Sequence, residues 1–213
     1  MLQIQRFVFN PFYENTYVIW EDESKEAALI DPGCFDESEK DVLTKFIYDN
    51  SLKINYLINT HCHIDHIIGN SFIKEKYNPK FLAPEKDMYL LKSIVKEAGK
   101  YFIEVGPSPM PDEFLSEQTQ INLNNISCKI IATPGHTPGG TCLYFEKEKA
   151  CFTGDVLFNR TIGRTDLSGG DYDALIDSIK NKLFNLPDDV KIYPGHDSSS
   201  KIGEEKRFNP FFN

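Results

Sequence analysis

The sequence predicts an α/β layered sandwich, and three observations carry that prediction. Stretches rich in aromatic and β-branched residues open the chain and return after residue 119. Between and after them, apolar residues recur at helical spacing. No linker, internal repeat or low-complexity segment divides the 213 residues, so one domain, 1–213, is expected. The strict strand–helix alternation of a doubly wound sheet is missing, so the pattern gives layers without a strand order.

The elements follow in order. LQIQRFVF and NTYVIW read as strands, and AALIDPG as a strand ending in a turn. Asp36 and Glu39 have capping-box spacing ahead of Val42, Leu43, Phe46 and Ile47, which recur at helical intervals. INYLINT (54–60) is a short apolar strand. A helix is expected after Gly69, then the short strand KFLAP. Residues 85–99 predict one helix with Met88, Leu91, Ile94, Val95 and Ala98 on a single face. GPSPMPD (106–112) has three prolines in seven residues and reads as a loop. QINL, CKIIATP, TCLYFEK and ACFTGD are strands, and EKEK (146–149) is a solvated hairpin turn. An amphipathic helix starts near Asp171, carries Tyr172, Leu175, Ile176, Ile179 and Leu183, and stops by Pro187. VKIYPGH (190–196) is the last strand and turn, and the aromatic tail RFNPFF is expected to pack on the core.

Composition narrows the function classes. The net charge is −9, so the broad acidic surface disfavours nucleic acid and anionic membranes as partners. Five cysteines, an odd number with no CxxC spacing, argue against a disulfide framework or a Cys-rich zinc site. The N-terminal stretch lacks the basic and apolar regions of a secretory leader, and no apolar run is long enough to span a membrane. A cytoplasmic protein is the expectation.

The chemistry is carried by THCHIDH, which places three of the five histidines within six positions. In an extended segment His61 and His63 point the same way, with Cys62 between them pointing away. Once the chain turns into a helix, Asp65 and His66 leave in different directions. One segment can thus serve two neighbouring metal ions, His61 and His63 holding one, Asp65 and His66 the other. The remaining histidines, His136 in TPGHTPGG and His196 in YPGHD, each follow an apolar strand and a Pro-Gly turn. Asp155, in CFTGD, ends a further strand. A lone histidine is more often a core or surface residue than a ligand. Here all five lie just beyond strand ends, where loops converge into sites. Neutral imidazoles and carboxylates suit zinc, iron or manganese.

THCHIDH, PGHTPGG, FTGD and YPGH resemble, in order and spacing, the motifs of the metallo-β-lactamase-fold hydrolases across nearly the whole chain. Within that superfamily the chain looks most like the glyoxalase II (hydroxyacylglutathione hydrolase) group. NRTIGRTDLSGGD and IGEEKRFNPF resemble its short, single-domain branch. The resemblance implies a four-layer αβ/βα sandwich with two divalent metals, zinc first, at one edge of the sheets. It gives His61, His63 and His136 to one metal, Asp65, His66 and His196 to the other, and Asp155 to both. Full-length glyoxalase II enzymes continue into a helical domain that helps hold glutathione; this chain ends soon after His196.

The expected reaction is hydrolysis of a small anionic thioester of the S-lactoylglutathione type by a hydroxide bridging the two metals. Asp65, both ligand and carboxylate, is the candidate to orient that hydroxide or take its proton. Two divalent cations outweigh the two aspartates and the hydroxide, so the pocket is locally positive within an acidic protein. Two alternatives stand beside this reading. One is a mono-iron persulfide dioxygenase of the same fold using His61, His136 and Asp155; the other is a non-catalytic metal-binding protein. Asp31, in IDPG, reads as a turn residue or as support for a ligand histidine. Arg164 and Asp166, in GRTD, read as a surface ion pair or as a brace for a loop near the metals. Tyr144 and Phe145 read as strand residues rather than substrate contacts.

Overall fold

The aromatic and β-branched residues at the start form a long antiparallel pair, β1 (Leu2–Phe9) and β2 (Glu14–Glu21). A computed structural model describes residues 1–212. The chain then adds β3 (Glu26–Ile30), helix α1 (Glu37–Asp49), β4 (Lys53–Ile58), the short helix α2 (Ile64–Ile67), α3 (Asn70–Tyr77) and β5 (Lys80–Pro84). Helices α4 (Met88–Lys92) and α5 (Ile94–Gly99) precede β6 (Glu113–Leu115). The first sheet runs β1-β2-β3-β4-β5-β6, and β3 through β6 are parallel.

The second half supplies β7 (Ile121–Leu123), β8 (Ile126–Ala132), β9 (Thr141–Phe145) and β10 (Ala150–Gly154). A two-stranded ribbon, β11 (Leu157–Phe158) with β12 (Thr161–Ile162), is followed by α6 (Tyr172–Asn181), β13 (Lys191–Pro194), β14 (Ser200–Lys201) and α7 (Ile202–Phe208). The second sheet runs β14-β13-β10-β9-β8-β7, with β13 parallel to β10.

Strand alternation sorts the apolar residues into three cores. Tyr17 and Ile19 of β2, Ala28 and Ile30 of β3, and Leu143 and Phe145 of β9 pack in one cluster between the sheets. Their neighbours point the other way. Val18, Ala27 and Leu29 meet Leu43 and Ile47 of α1 and Ile73 of α3. Cys142 and Tyr144 of β9 meet Leu175 and Ile179 of α6. The result is helices, sheet, sheet, helices: the expected four layers. Both faces of each sheet are covered, so the central strands read as continuous apolar runs. All five cysteines are free and buried in these cores.

Local signals explain most boundaries. Asp36 accepts the Glu39 N–H at 2.9 Å and starts α1; the Glu39 carboxylate reaches back to the Phe35 N–H at 2.7 Å. Asp171 likewise caps α6 through the Ala174 N–H. That helix ends at Asn181, ahead of Pro187, and a single 3₁₀ turn at Leu183–Asn185 fills the gap.

Residues 85–99 depart from the expected single helix. They form a 3₁₀ turn (Glu85–Asp87), α4 and α5, with a break at Ser93. The Ser93 hydroxyl donates to the Leu90 carbonyl at 3.0 Å, diverting the backbone as short polar side chains do inside helices. The break rotates α5, so Val95 faces solvent while Met88, Leu91, Ile94 and Ala98 stay buried. Of the aromatic tail, Phe212 packs on Phe184, but Phe208 and Phe211 remain largely exposed. No helix among the described residues is long and apolar enough to cross a membrane.

Candidate metal centre

The carboxyl ends of β3, β4, β8, β10 and β13 all open on one edge of the sandwich, and each releases a polar residue there: Asp31, His61, His136, Asp155 and His196. The backbone of Glu14, at the start of β2, pairs with that of His196, tying the edges of the two sheets together. All seven sequence-predicted residues meet at this point. The donor atoms of His61, His63 and His136 lie within 4.8 Å of one another, as do those of Asp65, His66 and His196.

Three hydrogen bonds set which ring nitrogen faces inward. Thr60 Oγ1 donates to Asp31 Oδ2 at 2.6 Å, so its proton is committed. His61 Nδ1, 3.1 Å from Thr60 Oγ1, must therefore be the donor in that contact, and Nε2 keeps its lone pair. His136 Nδ1 donates to the Arg164 carbonyl at 2.7 Å. His66 Nδ1 donates to Asp31 Oδ2 at 3.1 Å. In each case Nε2 is turned toward the cluster. His63 Nδ1 lies 2.8 Å from His136 Nε2.

Asp155 sits between the two groups. Its Oδ1 is 3.4 Å from His66 Nε2, and its Oδ2 is 3.5 Å from His136 Nε2 and 3.6 Å from His196 Nε2. Asp65 Oδ2 accepts from His196 Nε2 at 3.1 Å. The Pro-Gly turn before His196 has a steric reason. A Cβ at Gly195 would stand 2.2 Å from Asp155 Oδ1 and 2.6 Å from the His66 ring, so only glycine fits.

The titration pattern follows from burial and charge. Burial opposes charge on His61 and His63, with neighbouring histidines adding to it; His61 falls well below the usual range and His63 to about 4. Burial also opposes charge on His66, but Asp155 and Asp65 outweigh it and its pKa is raised well above the usual value. At His196 the hydrogen bond to Asp65 likewise overcomes burial and raises the pKa. Burial pushes Asp65 and Asp155 up, yet the histidines, His66 first, bring both below the carboxylate range.

The donors fit metal ions. Buried polar atoms rarely go without a hydrogen bond, yet His61 Nε2, His66 Nε2 and Asp155 Oδ1 are buried, face this cluster and make none, His66 Nε2 and Asp155 Oδ1 meeting only as an ion pair. Three imidazoles in one group, and two imidazoles with a carboxylate in the other, form a nitrogen–oxygen set suited to zinc, iron or manganese. A cavity of about 590 Å³ opens over the cluster, lined by His63, Asp65, His136, Asp155 and His196 at its floor. Phe12, Tyr89, Leu90, Ile94, Tyr101 and Phe158 form its apolar walls, and at its rim Lys100 is paired with Glu97 and Arg164 with Asp166.

Asp31 combines both roles anticipated for it. It turns the chain with a positive φ of 49°, and its carboxylate holds His66 and Thr60. Arg164 and Asp166 form an exposed two-pronged ion pair at 2.7 and 2.6 Å, while the Arg164 main chain holds His136. Tyr144 and Phe145 are buried strand residues.

Two buried acids escape a sequence reading. Glu14 is fully enclosed, with Oε1 3.9 Å from His66 Nδ1; burial, its largest influence, pushes its carboxyl well up. Asp87 lies behind the histidine loops and accepts three hydrogen bonds from them. Neither sits in a motif. A Glu opening a strand and an Asp after a Glu-Lys pair both look like surface residues.

The sequence profile of the metallo-beta-lactamase superfamily matches residues 9–196, a span that contains every one of these ligand candidates. Hydroxyacylglutathione hydrolase GloC of Haemophilus influenzae is 37% identical over 100% of this chain and 99% of its own. Among solved structures, the BLEG-1 B3 metallo-beta-lactamase superposes with a TM-score of 0.89 at 29% identity, covering 99% of this chain and 100% of that one. TTHA1623 in a di-iron-bound form gives 0.86 at 29% identity, covering 97% and 99%. Fold, ligand geometry and relatives agree, and the chain belongs to the metallo-beta-lactamase superfamily.

Proposed function

We propose that this protein is a thioester hydrolase of the glyoxalase II type, acting on a small anionic thioester such as S-lactoylglutathione with two zinc ions bound. The observation that carries this reading is the pair of three-donor groups at the floor of a 590 Å³ cavity, with Asp155 between them. The relative named hydroxyacylglutathione hydrolase, matched end to end, supports the substrate class. Five free, buried cysteines support a reducing compartment, the cytoplasm.

His61, His63 and His136 would hold one ion, and Asp65, His66 and His196 the other, with Asp155 touching both. Bound divalent metals supply Lewis acidity toward the thioester carbonyl and lower the pKa of water. Asp65, ionised and lining the cavity floor, accepts the proton of the attacking water. The carbonyl carbon gains the water oxygen, the C–S bond breaks, and the departing sulfur takes up a proton to leave as a thiol. The aromatic walls, Phe12 against Tyr101 at 5.0 Å between ring centres, enclose the thiol carrier and limit access of bulk water. Two bound divalent cations would give the cavity floor the positive charge that attracts the carboxylates of an acidic carrier. The acidic exterior leaves nucleic acid and membrane without a role.

The test is metal content per chain together with S-lactoylglutathione hydrolysis. Near two zinc ions per chain and saturable turnover are expected. About one iron per chain, with oxygen uptake on a persulfide, would make the protein the dioxygenase instead. Full metal loading with no turnover on any thioester would leave only a metal-binding protein.

A further inference from the structure

Three of the proposed ligands reach the site on two separate loops. His61 and His63 follow β4 in the first sheet, and His136 follows β8 in the second. A metal held by all three needs these loops at fixed separation, because ligand distances tolerate only tenths of an ångström.

The side chain that bridges the loops from behind is Asp87, which ends the 3₁₀ turn after β5 and is completely buried. Its Oδ2 accepts the N–H of Cys62 at 3.2 Å, the residue between His61 and His63. The same oxygen accepts the Thr137 hydroxyl at 2.7 Å, next to His136. Its Oδ1 accepts the Gly139 N–H at 2.7 Å. All three partners are donors, so both oxygens must accept, which an ionised carboxylate does and an amide does not. The approach is close enough to dictate the neighbouring sequence. A Cβ on Gly139 would lie 2.6 Å from Asp87 Oδ1 and 2.7 Å from its Cγ, which gives the first glycine of PGG a reason. One main-chain bond, Thr141 N–H to the Thr60 carbonyl at 3.0 Å, joins the same loops.

We propose that Asp87 is a positioning residue. It touches no ligand side chain, and it sets the distance between the His61–His63 pair and His136, and thereby the affinity and filling of the metal group they form. The proposal rests on the reading of these histidines as one metal group. It predicts a selective effect, because the hydrogen bonds of Asp87 go to the loops of His61–His63 and His136 and none goes to Asp65, His66 or His196.

The experiment measures zinc affinity site by site, by competition with a chromophoric chelator, in wild type, Asp87→Asn, Thr137→Val and Thr137→Ser. Cobalt(II) absorption in parallel separates the all-nitrogen group from the carboxylate-containing one. Asp87→Asn and Thr137→Val should weaken the three-histidine group about tenfold to a hundredfold, the range seen when ligand support is removed. The other group should stay within about twofold, and Thr137→Ser, which keeps the hydroxyl, should behave as wild type. Equal weakening of both groups would overturn the proposal, as would unchanged affinities with only a lower melting temperature. Thr137→Val keeps the test valid where Asp87→Asn fails to fold. Wild type that binds no zinc would instead refute the metal-group reading itself.

Discussion

Thr60 Oγ1 lies 2.6 Å from Asp31 Oδ2, and this one bond decides which nitrogen His61 presents to the cavity. The hydroxyl proton goes to the carboxylate, so the imidazole Nδ1 must donate and Nε2 is left as the metal-facing atom. The same Asp31 oxygen accepts from His66, so one aspartate orients one histidine of each group. Asp31→Asn tolerates the left-handed backbone but reverses a donor–acceptor pairing. A loss of about tenfold to a hundredfold in metal affinity is expected, felt by both groups and read by chelator competition.

Asp65 carries the proton in the proposed reaction. Asp65→Ala should lower kcat about a hundredfold to ten-thousandfold, the usual span for removing a general base. Its circular dichroism should match wild type, because the side chain lies at the cavity floor outside the apolar cores. Turnover within tenfold of wild type would remove Asp65 from the mechanism.

The metal-free protein should be most stable near neutral pH. His66 and His196 have raised pKa values, so their stabilisation is complete below about 6.5, the unfolded value. It is lost as pH rises through their folded values, when the pairs with Asp65 and Asp155 lose their positive partners. On the acid side Asp65 and Asp155, with lowered values, lose their contribution as pH falls through those values. His61 and His63, buried neutral, add to the acid loss from about pH 6.5 downward, because the unfolded chain takes up those protons first. Melting of chelator-treated protein at several pH values checks both limbs. Calorimetry in buffers of different ionisation enthalpy should show protons released on metal binding, from His66 and His196.

Glu205 of α7 braces the ribbon beside the site. Its Oε2 accepts the Arg160 N–H at 2.9 Å and the Asn209 side-chain amide at 2.9 Å, and that amide also reaches the Thr161 carbonyl. Glu205→Ala removes the acceptor shared by the Arg160 N–H and the Asn209 amide and should cost about 1–3 kcal/mol in urea denaturation. Three residues further along this loop, Arg164 holds His136, so metal content should fall with stability.

The residues that meet at this edge were legible because they share short motifs at strand ends. Alternating apolar strands likewise gave the layers. Strand β6 was hidden because three residues after a proline-rich loop carry no period; its pairing with β5 comes from the fold. The break at Ser93 was hidden because Val95 continues the apolar pattern in sequence while the backbone turns it outward. Asp87 and Glu14 were hidden for a different reason. Asp87 reaches across 25 and 50 residues to Cys62 and Thr137, and Glu14 faces His66 at 3.9 Å from a distant strand, and no local signal marks such residues.

His61, His63, Asp65 and His66 come from the first sheet, whereas His136, Asp155 and His196 come from the second. Each metal group draws from both. An ion at this edge is therefore a fastener between the two halves of the sandwich as well as a reagent, and it closes chain loops much as a cross-link does. With every cysteine free and buried, no covalent bond shares that task. Metal starvation should thus shorten the lifetime of the protein against proteolysis, beginning where the sheets part, before any shortage of substrate is felt.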